Sequence, residues 1–474
     1  MSLGTWLRAP LLAIALIGSL AQVVVGLEVG FGSADITPEI DGPKPVWLAG
    51  VENNRDAREI HDRLFARAVV LRDGSKKLAL VSVDSIGLPR PSVERARAAL
   101  PDFDYVLVAS THSHASPDVV GIWGPSQGES GVDPRYLRQV EDGIVRAVTQ
   151  ADKGAVAATA EYASAKDESL LGDYRLPKVY DGVMRLLRFT AVGEERPLGI
   201  VVQWNSHGVE PRKNHKITRD FMGVVVDTVA KRRGCPAIYF QGAIGGLMGT
   251  PDVKLTDASG DRITDPFQLI DAAGTAVAAL ADRALATAEP IALEPIEVHA
   301  SPIMVPLANA GFRAARAAGV LKRDAFEWTG SAEGRGKPIP EGTTDPNEAL
   351  ETEVAYLRLG ELDLAAIPGE IYPELVYGEI QEPADPGADF PDAELETPIA
   401  KILPGKQIMI IGLANDEIGY ILPKRQWDVE PPFAFGRDSP QYGEVNSVGP
   451  DTARYLLESL AKRVDEAPKR AGAK

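Results

Sequence analysis

Short apolar segments rich in β-branched residues recur along the chain and alternate with longer amphipathic segments. The short segments have the length of strands, and we predict strands at 64–71, 77–85, 104–110, 184–192, 197–206, 236–242, 354–369 and 406–416. The longer segments have helical periodicity, and we predict helices over 91–100, 133–151, 220–233, 265–288 and 451–467. Strands and helices mixed in this way predict an α/β domain whose helices pack outside its sheets.

Two of the predicted helices carry a specific start signal. Asp133 precedes Pro134, and Asp265 precedes Pro266. An aspartate at this position accepts hydrogen bonds from the free amide groups of the first helical turn, and proline fits that turn because no amide hydrogen is needed there. We therefore expect both helices to begin at these prolines. The segment 329–347, rich in glycine, proline and charge, instead predicts a long loop of the kind that serves as a lid.

The composition excludes several classes of protein. With 45% hydrophobic and 25% charged residues among 474, the chain is globular and long enough for one large enzyme domain or for two or three smaller units. The net charge is −17 and no basic tract offsets it, so we expect no nucleic-acid partner. Cys235 is the only cysteine, which excludes a disulfide framework, a thiolate zinc site and an iron–sulfur cluster. Histidine and carboxylate groups must therefore hold any bound metal.

The first residues have the pattern of a targeting segment. Arg8 precedes the apolar run 9–26, which ends with small residues before a polar junction. We predict a secretory signal peptide over residues 1–21, with cleavage as late as residue 26. The alternative is an uncleaved anchor, which Ser19 and Gln22 within the run disfavour. No later stretch is long enough to span a membrane, so we expect an exported protein, secreted or periplasmic, without a stable transmembrane span after cleavage.

Histidines follow two of the predicted strands. His112 and His114 come directly after the strand 104–110, and if that strand extends through them, their side chains point to one face. His207 follows the strand 197–206 in the same way. A pair of surface histidines, or a structural role for His207, is the alternative. Because the chain has only six histidines, their position at strand ends favours a site that binds an ion or a substrate.

Oxygen-bearing side chains occur at two further strand ends. Glu370 closes the segment Ala-Ala-Ile-Pro-Gly-Glu, and Tyr420 closes Ala-Asn-Asp-Glu-Ile-Gly-Tyr. In enzymes built on sheets, such strand ends converge on one crevice. Nitrogen and oxygen ligands without a thiolate suit zinc in a catalytic site that keeps one position open. Such an ion would lower the pKa of a water molecule to about 7 and polarise a carbonyl group.

A glycine-rich segment follows the strand 236–242. Beginning at Gln241 it contains Gly-Ala-Ile-Gly-Gly-Leu-Met-Gly, an order that matches neither a Walker nor a Rossmann loop. The backbone amide groups of Gly242, Gly245 and Gly246 are candidates for binding the substrate, because such groups can hold an oxyanion or a phosphate. A tight turn that binds nothing is an equal alternative.

Together these motifs resemble the catalytic domain of the neutral, alkaline, non-lysosomal ceramidases. Their order is G-x-A-D-I-T-P, H-D-x-L-x-A-R-A, V-S-x-D-S, T-H-S-H-x-S-P, W-N-x-H, Q-G, P-G-E and A-N-D-x-x-G-Y. The resemblance extends from Val29 to the last predicted helix. It implies two stacked, twisted, mixed β-sheets flanked by helices in a single large α/β domain, which we place at residues 27–468. We do not expect the immunoglobulin-like domain that follows in ceramidases.

The resemblance also assigns the residues of a site. In the family, zinc is held by the first histidine of T-H-x-H, the histidine of W-N-x-H, the glutamate of P-G-E and the tyrosine of G-Y. These positions correspond to His112, His207, Glu370 and Tyr420. The second histidine of the T-H-x-H motif, near the substrate amide, corresponds to His114 and implies a catalytic role. The implied enzyme is a metal-dependent amidohydrolase with one Zn²⁺ per chain, in which metal-bound water attacks an N-acyl amide.

The glycine-rich segment departs from the family pattern. Ceramidases have Q-G-D-V-S-P-N here, which puts Ala243 at the aspartate position and Gly245 at the position of a serine implicated in catalysis. Related bacterial sequences resemble Q-G-x-x-G-D-I-N-P, which puts Gly246 and Met248 at the aspartate and asparagine positions. On either alignment the polar side chain is missing. We therefore expect weak turnover of long-chain ceramide, and a ceramidase-like protein that binds a lipid or other ligand without turnover is the alternative.

The expected ligand is a small amide or lipid. Four aromatic residues, Phe103, Trp123, Phe326 and Trp328, are candidates for the wall of an acyl-chain pocket. Scattered aromatic residues are more often part of the core, which is the alternative here. The sequence gives no prediction of the oligomeric state.

Overall fold

The structure is a computed structural model, and it describes residues 26–209, 211, 213–247, 249, 255–257 and 259–469. The predicted signal peptide at residues 1–21 and Met248 lie outside the described residues.

The strands of the described chain range from two to twelve residues in length. They are β1 (Glu28–Asp35), β2 (Glu59–Ile60), β3 (Phe65–Asp73), β4 (Lys76–Val83), β5 (Tyr105–Ser110), β6 (Val156–Lys166), β7 (Val183–Ala191), β8 (Pro197–Trp204), β9 (Lys216–Ile217), β10 (Ala237–Gln241), β11 (Glu289–Pro290), β12 (Ile296–Pro306), β13 (Ala325–Trp328), β14 (Arg335–Ile339), β15 (Glu348–Leu359), β16 (Leu362–Ala366), β17 (Glu370–Ile371), β18 (Gln407–Ile411) and β19 (Tyr420–Ile421).

The α-helices lie between the strands, as the alternation of the sequence predicts. They are α1 (Arg90–Ala98), α2 (Pro134–Lys153), α3 (Asp220–Arg233), α4 (Pro266–Leu285), α5 (Ala310–Ala317), α6 (Pro373–Tyr377), α7 (Ile399–Ile402) and α8 (Thr452–Glu466). Among these helices, none combines the length and the apolar character needed to cross a bilayer.

Two mixed sheets carry the fold. The first has the strand order β10-β8-β7-β6-β1-β3-β4-β5, with β11 paired to β6. The second has the order β14-β13-β15-β16-β18, with β12 paired to β15. Most neighbouring strands are antiparallel, but β4–β5, β8–β10 and β16–β18 are parallel pairs. The carboxyl ends of these parallel strands meet at one place in the molecule.

The main core lies between the two sheets. Val69, Leu107 and Phe240 of the first sheet belong to one buried apolar cluster with Leu357 and Met409 of the second. On the outer side of the first sheet, α1 and α2 pack at one end and α3 and α4 at the other. Helix α8 packs on the outer side of the second sheet. The predicted α/β class, with two stacked mixed sheets flanked by helices, is confirmed.

The predicted helix starts are also confirmed. Helix α2 begins at Pro134, where the Asp133 carboxylate accepts a hydrogen bond from a first-turn amide, and α4 begins at Pro266, where Asp265 accepts two. The single strand predicted at 354–369 is wrong in part, because a turn at Gly360 with φ of 53° divides it into β15 and β16. The prediction of a loop over the whole of 329–347 is wrong as well, since β14 lies within it and pairs with β13.

Residues 412–413, which directly follow β18 of the second sheet, form hydrogen bonds with both edge strands of the first sheet, β10 and β5. The amide of Gly412, directly after β18, donates to the carbonyl of Gln241 at the end of β10 (3.0 Å). The amide of Ser110 at the end of β5 donates to the carbonyl of Leu413 (3.2 Å). The carboxyl ends of β5, β10 and β18 are thereby held side by side.

Candidate metal centre

The chain turns sharply after β5. The strand ends at Ser110, and His112 has a φ of 66°, in the left-handed region that side-chain-bearing residues rarely adopt. The premise that the strand extends through His112 and His114 is therefore wrong. The amide of His112 donates to the carbonyl of Ser85 (2.9 Å), and its ring Nδ1 contacts the carbonyl of Ile86 (2.6 Å). Because a carbonyl only accepts, Nδ1 carries a proton, and Nε2 is the ring nitrogen that is available to bind a metal.

The three histidines predicted to form the site lie together. The ring centroid of His112 is 4.6 Å from that of His114 and 4.9 Å from that of His207. One ring nitrogen of each histidine lies within 4.8 Å of the others, and all three residues are buried. A single metal ion can therefore be reached by all three imidazoles.

Glu370 brings a carboxylate into the same cluster. Its Oε2 lies 2.8 Å from Nε2 of His207 and 3.4 Å from Nε2 of His112. Burial alone would raise the pKa of the Glu370 carboxyl, but the charges and close contacts of His112 and His207 hold that pKa well below its usual range. One ionised oxygen thus faces two imidazole nitrogens.

Tyr420 completes the group of predicted ligands. Its hydroxyl oxygen lies 3.4 Å from Nε2 of His207. Strand β19 pairs with β17 in parallel, and Tyr420 is the register partner of Glu370. Two ligand sets fit this cluster: His112 and His207 with Glu370 and Tyr420, or the three imidazoles. They differ in whether His114 is a ligand.

The donors present fit a divalent metal ion. Imidazole nitrogens with carboxylate and phenol oxygens are a donor set that suits zinc. The Nε2 atom of His112 is buried, and no residue in the described part of the chain forms a hydrogen bond with it. Burial, together with the charges of His112 and His207, holds the pKa of His114 well below its usual value. His114 is therefore a neutral imidazole, the form that binds a metal or donates a hydrogen bond at neutral pH.

Gln241, a residue without a predicted role, ties the two histidine-bearing loops together. Its side-chain Nε2 donates to the carbonyl of Thr111 (2.9 Å) and to the carbonyl of Ser206 (2.8 Å). These carbonyls directly precede His112 and His207 in the chain. The glutamine of the Q-G motif was the only sequence signal for this contact.

The glycine-rich loop packs behind the cluster. A Cβ atom at Gly245 would lie 2.8 Å from the carbonyl oxygen of Glu370, and one at Gly242 would lie 2.1 Å from Oδ1 of Asn205. Gly246 has a φ of 77°, which favours glycine. None of these three glycines is among the described residues that line the cavity beside the cluster. Their absent side chains allow the loop to pack closely against the segment that carries Glu370.

A cavity opens beside the cluster, and His112, His114, Glu370 and Tyr420 form part of its wall. Much of the remaining wall is apolar and is formed by Ile86, Val120, Ile122, Trp123, Leu307, Phe312 and Leu350.

Among the four candidate aromatic residues, Trp123 lines this cavity. Phe103, Phe326 and Trp328 are not in its described wall. Phe326 is a buried member of a small core cluster, and Phe103 and Trp328 pack against the edges of core clusters. The cavity wall also contains Glu417, which lies within the A-N-D-x-x-G-Y motif at a position the motif leaves open.

No protein-family model matches the chain, nor does any curated protein. Solved structures similar to it include two ceramidases. The neutral ceramidase from Pseudomonas aeruginosa is 17% identical with a TM-score of 0.69, over 95% of this chain and 76% of that chain. A ceramidase complexed with C2 is 17% identical with a TM-score of 0.66, over 95% of this chain and 77% of that chain. The chain therefore has the fold of the neutral ceramidases, which confirms the fold implied by the sequence resemblance.

Proposed function

We propose that the protein is an exported, zinc-dependent hydrolase that cleaves an N-acyl amide, either ceramide-like or smaller. The observation that carries this proposal is the convergence of His112, His207, Glu370 and Tyr420 beside an apolar cavity, whose wall includes three of them, His112, Glu370 and Tyr420. An apolar cavity with a few convergent polar groups suits a ligand that has an alkyl chain and one reactive polar bond. Export is supported by the signal pattern at residues 1–21, and the amide class by the ceramidase fold.

One Zn²⁺ per chain would be held by His112, His207, Glu370 and Tyr420. When bound, zinc polarises a carbonyl group and lowers the pKa of water to about 7. The hydrogen bond from His112 Nδ1 to the Ile86 carbonyl keeps the ring in the tautomer that a ligand needs. Gln241 serves the same site at longer range, since it fixes the spacing of the loops that carry the two histidines.

His114 is the proposed catalytic residue. Hydrolysis breaks the C–N bond, adds a hydroxyl group to the acyl carbon and leaves a proton on the amine nitrogen. A neutral imidazole beside the scissile bond can donate a hydrogen bond to the developing oxyanion, or it can accept a proton from the attacking water and then pass that proton to the leaving nitrogen. The apolar wall would hold the acyl chain and keep bulk water from the reacting atoms.

A ceramidase-like protein that binds its ligand without turnover is the second candidate. The observation in its favour is the position of Gly245, where the ceramidases have a serine implicated in catalysis. This chain has no side chain there and no space for one, because a Cβ atom would lie 2.2 Å from the Tyr372 ring.

The test combines elemental analysis of the purified chain with a panel of N-acyl amides that includes long-chain ceramide. We expect about one zinc per chain, hydrolysis of smaller amides that is lost with a chelator and restored by zinc, and weak or no ceramide hydrolysis. Full zinc content without hydrolysis of any amide would favour the second candidate. Hydrolysis that persists in fully zinc-free protein would contradict metal dependence.

A further inference from the structure

A segment without regular secondary structure forms one side of the cavity. Residues 119–131, all of them described by the structure, belong to no helix or strand, and they follow the loop that carries the two histidines of the T-H-S-H motif. Val120, Ile122 and Trp123 of this segment line the cavity. Because such a segment has no ladder or helical turn to pair its backbone amides, other acceptors must do so. These acceptors determine the shape of the wall.

The carboxylate of Asp118 pairs four amides of this segment. Its Oδ1 accepts hydrogen bonds from the amides of Val120 (2.9 Å) and Gly121 (2.8 Å). Its Oδ2 accepts hydrogen bonds from the amides of Trp123 (3.1 Å) and Gly131 (3.2 Å). One side chain therefore joins the beginning and the end of the segment, which gives it the form of a compact surface loop with its ends together.

Burial makes these four hydrogen bonds important for both partners. Only 1% of Asp118 is exposed. A buried carboxylate is strongly destabilising unless hydrogen bonds satisfy it, and the backbone amides do so here. A Cβ atom at Gly131 would lie 2.7 Å from Oδ2 of Asp118, so the absence of a side chain at Gly131 allows this close approach. Loss of either carboxylate oxygen would leave two of the amides without an acceptor.

Other contacts hold the segment against its neighbours. Nδ2 of Asn53 donates a hydrogen bond to the carbonyl of Ile122 (3.0 Å). A Cβ atom at Gly121 would lie 2.1 Å from the carbonyl oxygen of Val320, so the two backbones are in contact there. These contacts fix the place of the segment, whereas the carboxylate of Asp118 sets its internal shape.

We propose that Asp118 is a positioning residue that sets the affinity of the cavity for an apolar chain, because its carboxylate holds Val120, Ile122 and Trp123 in the wall. This inference rests on the proposed function, in which the acyl chain of an amide occupies the cavity. Dispersion contacts weaken when a gap of a fraction of an ångström opens, so tight binding of a chain needs a wall of fixed shape. A long chain contacts more of this wall than a short chain and depends on it more.

The test compares the wild-type chain with Asp118→Asn on two amides of one amine, the dodecanoyl amide and the butanoyl amide. The variant has an NH₂ group in place of one oxygen, and this group cannot accept a hydrogen bond from the two amides that it faces. The ratio of kcat/KM for the dodecanoyl amide to that for the butanoyl amide should fall by about 10-fold. The change should lie mainly in KM of the dodecanoyl amide, with zinc content unchanged.

This ratio distinguishes positioning from a general loss of stability. A smaller fraction of folded protein would lower both values of kcat/KM equally and leave their ratio unchanged. An unchanged ratio in Asp118→Asn would therefore overturn the inference. Asp102→Asn, at an exposed position outside the cavity wall, is the matched control and should have the wild-type ratio.

A binding measurement separates this inference from the proposed function, because it needs no turnover. Dodecanoic acid should bind to the wild-type chain about 10-fold more tightly than to Asp118→Asn, as measured by calorimetry. Weaker binding to the variant, without hydrolysis of either amide by the wild-type chain, would support the role of Asp118 and contradict the proposed function. Equal binding to the two proteins, or no binding to either, would overturn the inference.

Hydrogen exchange of the wild-type chain tests the arrangement without any variant, and so also where Asp118→Asn does not fold. The four amides that donate to Asp118 should exchange slowly, whereas the amides of the exposed residues 126–128 should exchange rapidly. Slow exchange of the four amides would support the inference. Exchange as rapid as that of residues 126–128 would overturn it, because Asp118 would then not hold the segment in place.

Discussion

Glu370 and Tyr420 stand opposite each other as register partners in the short parallel pairing of β17 and β19. They follow β16 and β18, which are neighbouring parallel strands of the second sheet, so both side chains arrive at the same edge. His112 and His207 reach this point from β5 and β8 of the first sheet. The candidate metal centre therefore lies where the two large sheets meet, and two of the four predicted ligands follow strands of each sheet.

The ligand assignment predicts the metal content of two double variants. The wild-type chain is expected to retain about one zinc after mild purification. His112→Ala with His207→Ala should lose it, because one carboxylate and one phenol do not hold zinc alone. His61→Ala with His299→Ala, which removes two histidines outside the cluster, is the matched control and should retain zinc. Full zinc content in the first double variant, measured by elemental analysis, would contradict the assignment.

A second prediction separates the two possible ligand sets. If His114 acts on the substrate and does not bind the metal, His114→Ala should keep its zinc. Hydrolysis of a good amide substrate should fall by roughly 10²–10⁴-fold, the usual contribution of a general acid or base. Elemental analysis and kcat are measured on the same preparation. Loss of zinc from this variant would instead identify His114 as a ligand, as in the set of three imidazoles.

A third prediction concerns Gly245, where a serine would restore the residue type of the ceramidases. In this chain the new Cβ atom would lie 2.2 Å from the Tyr372 ring and 2.8 Å from the Glu370 carbonyl oxygen. We expect Gly245→Ser to lower the free energy of unfolding by about 1–3 kcal/mol through overpacking. It should also weaken zinc binding through Glu370, and it should not increase ceramide hydrolysis.

Urea unfolding and zinc content check this third prediction. Gly42→Ser is the control, since a Cβ atom at Gly42 meets nothing within 4 Å. Wild-type stability of Gly245→Ser together with a gain in ceramide hydrolysis would show that the loop can rearrange to admit a side chain.

Strand β1 is one of the strands that the sequence analysis did not predict, and the reason is physical. Its sequence contains Gly30 and Gly32, and glycine is unfavourable in strands. In the structure, a Cβ atom at Gly30 would lie 2.0 Å from the carbonyl oxygen of Ala151, and one at Gly32 would lie 2.2 Å from that of Ala147. Both carbonyls belong to α2. The glycines are needed for the close approach of helix and strand, which strand propensity does not describe.

The candidate site was predictable where its residues follow recognisable apolar strands, as His207 and Glu370 do. It was not predictable where a local turn, or a contact between segments distant in the sequence, determines the position of a side chain. The rings of His112 and His114 meet through a left-handed turn and not through strand alternation. Glu417 enters the cavity wall because the segment after β18 crosses from one sheet to the other.

The last prediction concerns Glu374 in α6, a buried acid that lies outside the predicted ligands. Burial, with the charge of Asp173, raises the pKa of Glu374 from 4.5 to about 8. Between these two pH values the unfolded chain has lost this proton while the folded chain keeps it, so the folded state becomes less stable as the pH rises. The slope from one such group is at most about 1.4 kcal/mol per pH unit.

Glu374→Gln cannot ionise, so its stability relative to wild type should increase from pH 5 to pH 8. Urea unfolding of both proteins at the two pH values measures this difference, with exposed Glu379→Gln as the control. A difference that is the same at pH 5 and pH 8 would show that Glu374 is already ionised in the folded protein at pH 5.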